Sequence, residues 1–146
     1  MPALQSVWFV PHVIVYMVAY ALLGLSALLS LTGLVALRKG NLKSGLLINI
    51  DNVVYVGFGF LTLGLVFGAL WAKEAWGHYW TWDPKETWAF ITWTIYLIYI
   101  HFRIKSKLSN QKVLSILLMA FIVLLICWFG VNYLPSAQNS VHVYSN

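Results

Sequence analysis

Four long apolar segments dominate this chain and leave it few ways to fold. They run from about residue 8 to 37, 52 to 71, 84 to 102 and 113 to 134. Charged residues make up only 9% of the sequence, against about 25% in a soluble domain. In lipid only a helix or a closed barrel satisfies every backbone N–H and C=O, and about 20 apolar residues span the bilayer as a helix. We therefore predict an all-α integral membrane protein, a single membrane domain over 1–146 with about four transmembrane helices.

The basic residues indicate how these helices are oriented. Seven of the nine lie in the connections after the first and third apolar segments: Arg38, Lys39, Lys43, Arg103, Lys105, Lys107 and Lys112. Cytoplasmic loops carry an excess of Lys and Arg. The N-terminus, the C-terminus and the loop at 72–88 are therefore expected outside. The net charge of +5 reflects this orientation, and no nucleic-acid binding is expected.

Helix signals refine the boundaries. The run Asp83-Pro84-Lys85-Glu86 is typical of a helix start, with Asp as N-cap, Pro in the first helical position and Glu in the third. Asp51 is expected to cap the second helix at its inner end. The pair Gly64 and Gly68 has the spacing of a helix-packing motif, which is weak evidence in a membrane helix. Cys127, the sole cysteine, is interpreted as a small buried hydrophobe.

Tryptophan is concentrated in one part of the chain. Six of the eight Trp residues fall between Trp71 and Trp93. Interfacial Trp residues usually occur singly or in pairs at helix ends. Here they crowd one short external connection together with Gly, His, Asp and Thr. That composition suits a flat, apolar ligand with polar edges, held at the membrane surface.

The histidines suggest what such a ligand would be. His12 and His142 are both expected at the outer side, where two neutral imidazoles could be the axial ligands of a haem iron. The alternative, an interfacial His without a ligand, remains open for each. His101 lies at the inner end of the third segment, where a structural and a functional role are equally compatible with the sequence. His78 is a contact candidate within the loop, and Lys73 or Lys85 would meet the haem propionates.

The segment WGHYWTWDPKETW resembles the W-G-x-x-W-x-W-D-x-x-x-T-W signature, called WWD, of the haem-handling membrane proteins of cytochrome c maturation. Its fixed positions are Trp76, Gly77, Trp80, Trp82, Asp83, Thr87 and Trp88. The chain is most similar to the CcsA/ResC type, related to the CcmC and CcmF types, because the segments around His12, His101 and His142 also resemble that type. Such proteins are about twice as long, so a short form or a C-terminal core is expected. In the second segment, Val56 occupies the position after Asp51-x-x-x-Tyr55, where members of this family often have Arg.

The resemblance implies a function. It implies transient binding of b-type haem on the external platform, with His12 and His142 as axial ligands and His101 as a candidate inner iron ligand. The haem would be presented to the Cys-x-x-Cys-His segment of apocytochrome c, in a cytochrome c haem lyase formed with a CcsB/ResB-type membrane partner. No side chain of this chain is implied as a catalyst. The expected location is a bacterial inner membrane with the site facing the periplasm; a thylakoid membrane is the alternative.

Two other functions stay open from the sequence. A haem carrier or exporter of the CcmC type, without ligase activity, would use the same residues. A structural or quinone-site subunit of a respiratory membrane complex would use the aromatic residues as an interfacial belt. The placement of His12 and His142 at helix ends argues against the second, since cytochrome b subunits usually place His pairs within their spans.

Overall fold

The computed structural model describes residues 2–135, and in that range the chain is helical, with no strand. The bounds are Pro2–Gln5 for a short 3-10 helix, Phe9–Arg38 for α1, Ser44–Trp76 for α2, Pro84–Lys105 for α3 and Asn110–Leu125 for α4. A π-helical turn at Ile126–Gly130 and a 3-10 turn at Val131–Tyr133 extend α4. The all-α prediction is confirmed.

Three helical stretches are long and apolar enough to cross a membrane: α1, α2 and Asn110–Tyr133. Helix α3 has 22 residues and is about 33 Å long at about 1.5 Å per residue, but it is less apolar. Thr92, Tyr96 and Tyr99 are buried on its inner face. This helix is the least apolar of the four, and these three polar side chains face the other helices, whereas His101 is exposed.

Helices α1 and α2 approach closely along a row of glycines. A Cβ atom added to Gly57 would lie 2.9 Å from Cδ2 of Leu23, and one added to Gly64 would lie 3.1 Å from the ring of Tyr16. Only glycine leaves room for these side chains without displacement. These glycines of α2 therefore form a helix-packing face, and side chains of α1 occupy the space next to them.

Helix α2 is longer than the sequence suggested, and the expected capping role of Asp51 is wrong. The helix begins at Ser44 and ends at Trp76 instead of spanning about 52–71, so Asp51 lies in its interior. The connection between α2 and α3 is correspondingly shorter than expected and comprises residues 77–83.

Asp51 instead joins α2 to α3. Nε of Arg103 donates to Oδ1 of Asp51 at 2.8 Å, and Nη2 donates to Oδ2. The Tyr99 hydroxyl donates to the same Oδ1 at 2.8 Å. A bidentate pair of this kind is the strong form of a carboxylate–guanidinium contact. Both side chains are largely buried, with exposed fractions of 20% for Arg103 and 14% for Asp51.

We expect Arg103→Leu to lower the free energy of unfolding by about 2 kcal/mol, because it leaves the Asp51 carboxylate largely buried without its cation. The double variant Asp51→Asn with Arg103→Leu should recover much of this loss. Thermal unfolding followed by circular dichroism in detergent measures both. The single variant Asp51→Asn completes the comparison. A loss of stability in the double variant equal to the sum of the losses in the two single variants would contradict the pairing.

Candidate functional site

A cavity of about 330 Å³ opens beside loop 77–83, at the end of the bundle where α1, α2 and α3 meet the π-helical turn. Its volume falls in the range of about 300–1,000 Å³ that is usual for small-molecule sites. Aromatic and aliphatic side chains form most of its wall, and its polar and aromatic members come from α1, the loop, α3 and the π-helical turn. They include His12, Tyr16, Tyr20, Trp80, Lys85, Glu86, Cys127 and Trp128.

His12 is held in this wall by a backbone hydrogen bond. Its Nδ1 lies 2.9 Å from the carbonyl oxygen of Gly64. A carbonyl oxygen only accepts, so Nδ1 carries a proton and the neutral ring has its lone pair on Nε2. Metal-binding His residues characteristically donate their other ring N–H in this way, which sets both tautomer and ring orientation.

The ring of His12 is also sterically fixed. It meets Tyr16 edge-on, with centroids 4.7 Å apart, and lies 5.4 Å from Trp71. A Cβ atom added to Gly68 would lie 2.8 Å from Cε1 of His12. Trp71 is itself anchored, since its Nε1 donates to the carbonyl of Ala3 at 2.7 Å. The position of the His12 ring is therefore fixed by contacts with α1 and α2, and the N-terminal segment anchors one of these contacts, Trp71.

The loop begins with a glycine that the backbone requires. Gly77 ends α2 with φ of +83°, a left-handed conformation that L-residues avoid. Its N–H donates to the carbonyl of Lys73, and Nζ of Lys73 donates back to the Gly77 carbonyl at 2.9 Å. The same ammonium lies 5.3 Å from the centroid of the Tyr79 ring. The side chain of Lys73 therefore contacts the loop. Of the two lysines predicted to meet the propionates, Lys85 is the one that lines the cavity.

The other end of the loop is fixed by its polar residues. Asp83 is the N-cap of α3, as predicted, and its carboxylate accepts from the Lys85 N–H at 3.0 Å. It also accepts from the Glu86 N–H, and the Glu86 carboxylate accepts from the Asp83 N–H at 3.2 Å, which completes a capping box. Trp82 has φ of +59°. The Thr87 hydroxyl donates to its carbonyl at 3.1 Å and so helps to hold this unfavourable conformation.

The structure separates the predicted aromatic residues into different roles. Trp80 lines the cavity. Trp82 is 63% exposed and meets Trp80 edge-on at 5.7 Å. Trp76 packs against Trp71 at 5.2 Å. Trp88 is half-buried in α3, and its carbonyl accepts from Thr92.

The predicted histidines do not all come together. His12 lies at the cavity and His78 is exposed in the loop. His101 is exposed near the opposite end of α3, about 25 Å along the helix from Pro84 at about 1.5 Å per residue. His142 lies outside the described residues. The structure thus places His12 and His101 at opposite ends of the helix bundle.

Sequence reasoning missed several cavity residues. Tyr16 and Tyr20 follow His12 at four-residue intervals, so helical periodicity places all three on one face of α1. This signal was available in the sequence. Cys127 also lies in the cavity wall and is only half-buried. The π-helical turn that brings it there, together with Trp128, leaves no clear sequence signature; such turns often occur at functional sites.

Comparison with known proteins gives consistent matches. Residues 1–137 match the family model described as cytochrome C assembly protein. The chain is 42% identical to the cytochrome c biogenesis protein CcsA of Chlamydomonas reinhardtii, over 95% of this chain and 42% of that protein. It is 39% identical to CcsA of Guillardia theta and 40% identical to CcsA of Prochlorococcus marinus, over 95% of this chain and 55% and 54% of those proteins. The chain thus spans about half the length of these curated relatives.

We expect Gly68→Ala to lower the free energy of unfolding by about 1–3 kcal/mol, because the new methyl group would have to displace the His12 ring. Gly59→Ala is the matched control in the same helix, since a Cβ atom there meets nothing within 4 Å. Thermal unfolding of the two purified variants checks this. Equal melting temperatures would contradict the close contact at Gly68.

Proposed function

The chain belongs to the cytochrome c assembly protein family, and on that premise we propose that it binds haem at the outer cavity and presents it for attachment to apocytochrome c. The single observation that carries the proposal is the fixed position of the His12 ring in the cavity wall. Its hydrogen bond to the Gly64 carbonyl leaves Nε2 as the basic nitrogen of the neutral ring, the form in which imidazole binds haem iron.

The cavity wall supports haem as the bound molecule. A porphyrin has apolar faces, which suit the rings of Tyr16, Trp80 and Trp128. It also carries anionic propionates, for which Lys85 is the cation in the wall. His142 is proposed as the second axial ligand.

His101 is proposed to serve an inner position at the other end of α3. An ionisable side chain exposed on a membrane helix is costly in lipid. We therefore expect protein or haem to cover it, and a CcsB/ResB-type partner would supply that cover. In the same proposal the basic connections lie on the cytoplasmic side, and the cavity faces the periplasm or its equivalent.

No side chain of this chain needs to act as a catalyst. When bound, haem supplies the vinyl groups. Each apocytochrome thiol adds across one of them, its sulfur bonding to one vinyl carbon and its hydrogen ending on the other. The contribution of the protein is orientation: His12 fixes the iron, and the loop fixes the edge of the ring system. The same residues would serve a carrier that binds haem without attaching it.

We expect His12→Gly to lower the haem recovered with the purified protein about tenfold or more, and added imidazole to restore it by occupying the vacated position. A reduced-minus-oxidised absorption spectrum measures the bound haem, and His78→Gly is the control in the exposed loop. Unchanged haem in His12→Gly would remove His12 from the ligand set.

The same preparations separate the alternative functions. A low-spin haem spectrum together with maturation of cytochrome c when the partner is supplied supports the ligase function. The same spectrum without maturation supports a carrier. Wild-type protein that shows no haem under any condition contradicts both.

Replacing Trp82 with Ala should weaken haem binding about tenfold while leaving the melting temperature nearly unchanged, because Trp82 is largely exposed at the loop tip. Haem titration and thermal unfolding measure the two effects. Tyr55→Ala, an exposed aromatic in α2 outside the cavity, is the matched control. A large loss of stability in Trp82→Ala would assign this residue to packing.

A further inference from the structure

The carboxylate of Glu86 joins three donors of the loop to the first turn of α3. Its Oε2 accepts from the Thr81 N–H at 2.8 Å, from the Asp83 N–H at 3.2 Å and from the Thr81 hydroxyl at 3.3 Å. A capping box by itself needs only the bond from Asp83. The contacts to Thr81 go beyond the helix cap and reach into the middle of the loop.

These contacts flank a Trp in an unfavourable conformation. Thr81 and Asp83 are the two neighbours of Trp82, whose φ is +59°. The left-handed region is unfavourable for a residue with a Cβ atom, so the surrounding hydrogen bonds must hold Trp82 in it. Glu86 fixes the Trp80–Thr81 and Trp82–Asp83 peptide groups, and thereby the backbone that carries both Trp80 and Trp82.

Glu86 also forms part of the cavity wall. It is half-buried and lines the cavity beside Lys85 and Trp80. Its position in the chain is one of the variable positions of the W-G-x-x-W-x-W-D-x-x-x-T-W pattern, so the pattern alone assigns it no role.

We propose that Glu86 is a positioning residue that holds Trp80 and Trp82 in the arrangement that receives haem, an inference that rests on the proposed function. Its action is geometric. The carboxylate places an acceptor oxygen within hydrogen-bond distance of the Thr81 and Asp83 N–H groups. In this proposal the position of that oxygen matters more for haem binding than the negative charge.

Three variants separate geometry from charge. Glu86→Gln loses the charge but keeps an acceptor oxygen at the same reach. Glu86→Asp keeps the charge but is one methylene shorter. Glu86→Ala loses both. Positioning predicts that Gln stays within about threefold of wild-type haem affinity, and that Asp and Ala each lose about tenfold, the usual effect of one lost hydrogen bond of about 1.4 kcal/mol.

Two measurements are made on each purified full-length variant. Hydrogen exchange of haem-free protein reports the loop, and we expect the amides of Thr81 and Asp83 to exchange about tenfold faster in Glu86→Ala than in Glu86→Gln. Haem titration, with the electron paramagnetic resonance g-values of the bound ferric haem, reports the site. Glu74→Ala is the matched control, an acid at the same end of the bundle that accepts from Ser6.

Each contrary outcome overturns a defined part of the proposal. Equal losses in Gln and Ala, with Asp like wild type, would assign the effect to charge. Faster exchange in Ala with unchanged haem affinity and g-values would reduce Glu86 to a helix cap. Unchanged exchange in Ala would remove it from the loop altogether. If wild type binds no haem, the proposed function fails, and the exchange rates still decide whether Glu86 holds the loop. Should Glu86→Ala not fold, the contrast between Asp and Gln provides the same test.

Discussion

The close approach of α1 to the glycine face of α2 is the contact on which the outer site depends. Because Gly57, Gly64 and Gly68 have no side chains, Leu23, Tyr16 and His12 of α1 can lie directly on the α2 backbone. In lipid, where apolar contact with another helix gains little over contact with acyl chains, such close packing is a main source of helix association. The same closeness brings the His12 ring within hydrogen-bond distance of the Gly64 carbonyl. The helix packing and the position of His12 therefore depend on the same close approach of α1 to α2.

The second constraint is a set of polar contacts at the two ends of α3. At its N-terminus Asp83, Glu86 and Thr87 organise the loop. Near its C-terminus Tyr99 and Arg103 bind Asp51 of α2. Helix α3 is the least apolar of the four. It packs into the core through Tyr96 and Tyr99, and the hydrogen bonds from Tyr99 and Arg103 to Asp51 add directional contacts that fix its position relative to α2.

Within the WWD motif, the structure distinguishes residues that build the platform from residues that present a surface. Gly77, Asp83 and Thr87 meet backbone requirements of the loop: a left-handed helix end, a helix cap and a brace on the Trp82 carbonyl. Trp80 and Trp82 are left at the cavity and at the loop tip. The motif therefore contains residues that shape the loop and residues that remain at its surface, and we expect the two groups to respond differently to substitution.

The sequence alone determined the all-α membrane class, the start of α3 and the position of the Trp-rich loop, because apolar length, capping chemistry and composition are local properties. It also identified His12 as a candidate, and the orientation of the helices remains a prediction from charge. Only the tertiary structure decided that Asp51 pairs with Arg103 in place of capping a helix, that Cys127 shares the cavity with His12, and that Glu86 reaches Thr81. These relations join residues on different helices or across a turn. They depend on how the helices rotate against one another, and local sequence pattern does not encode that rotation.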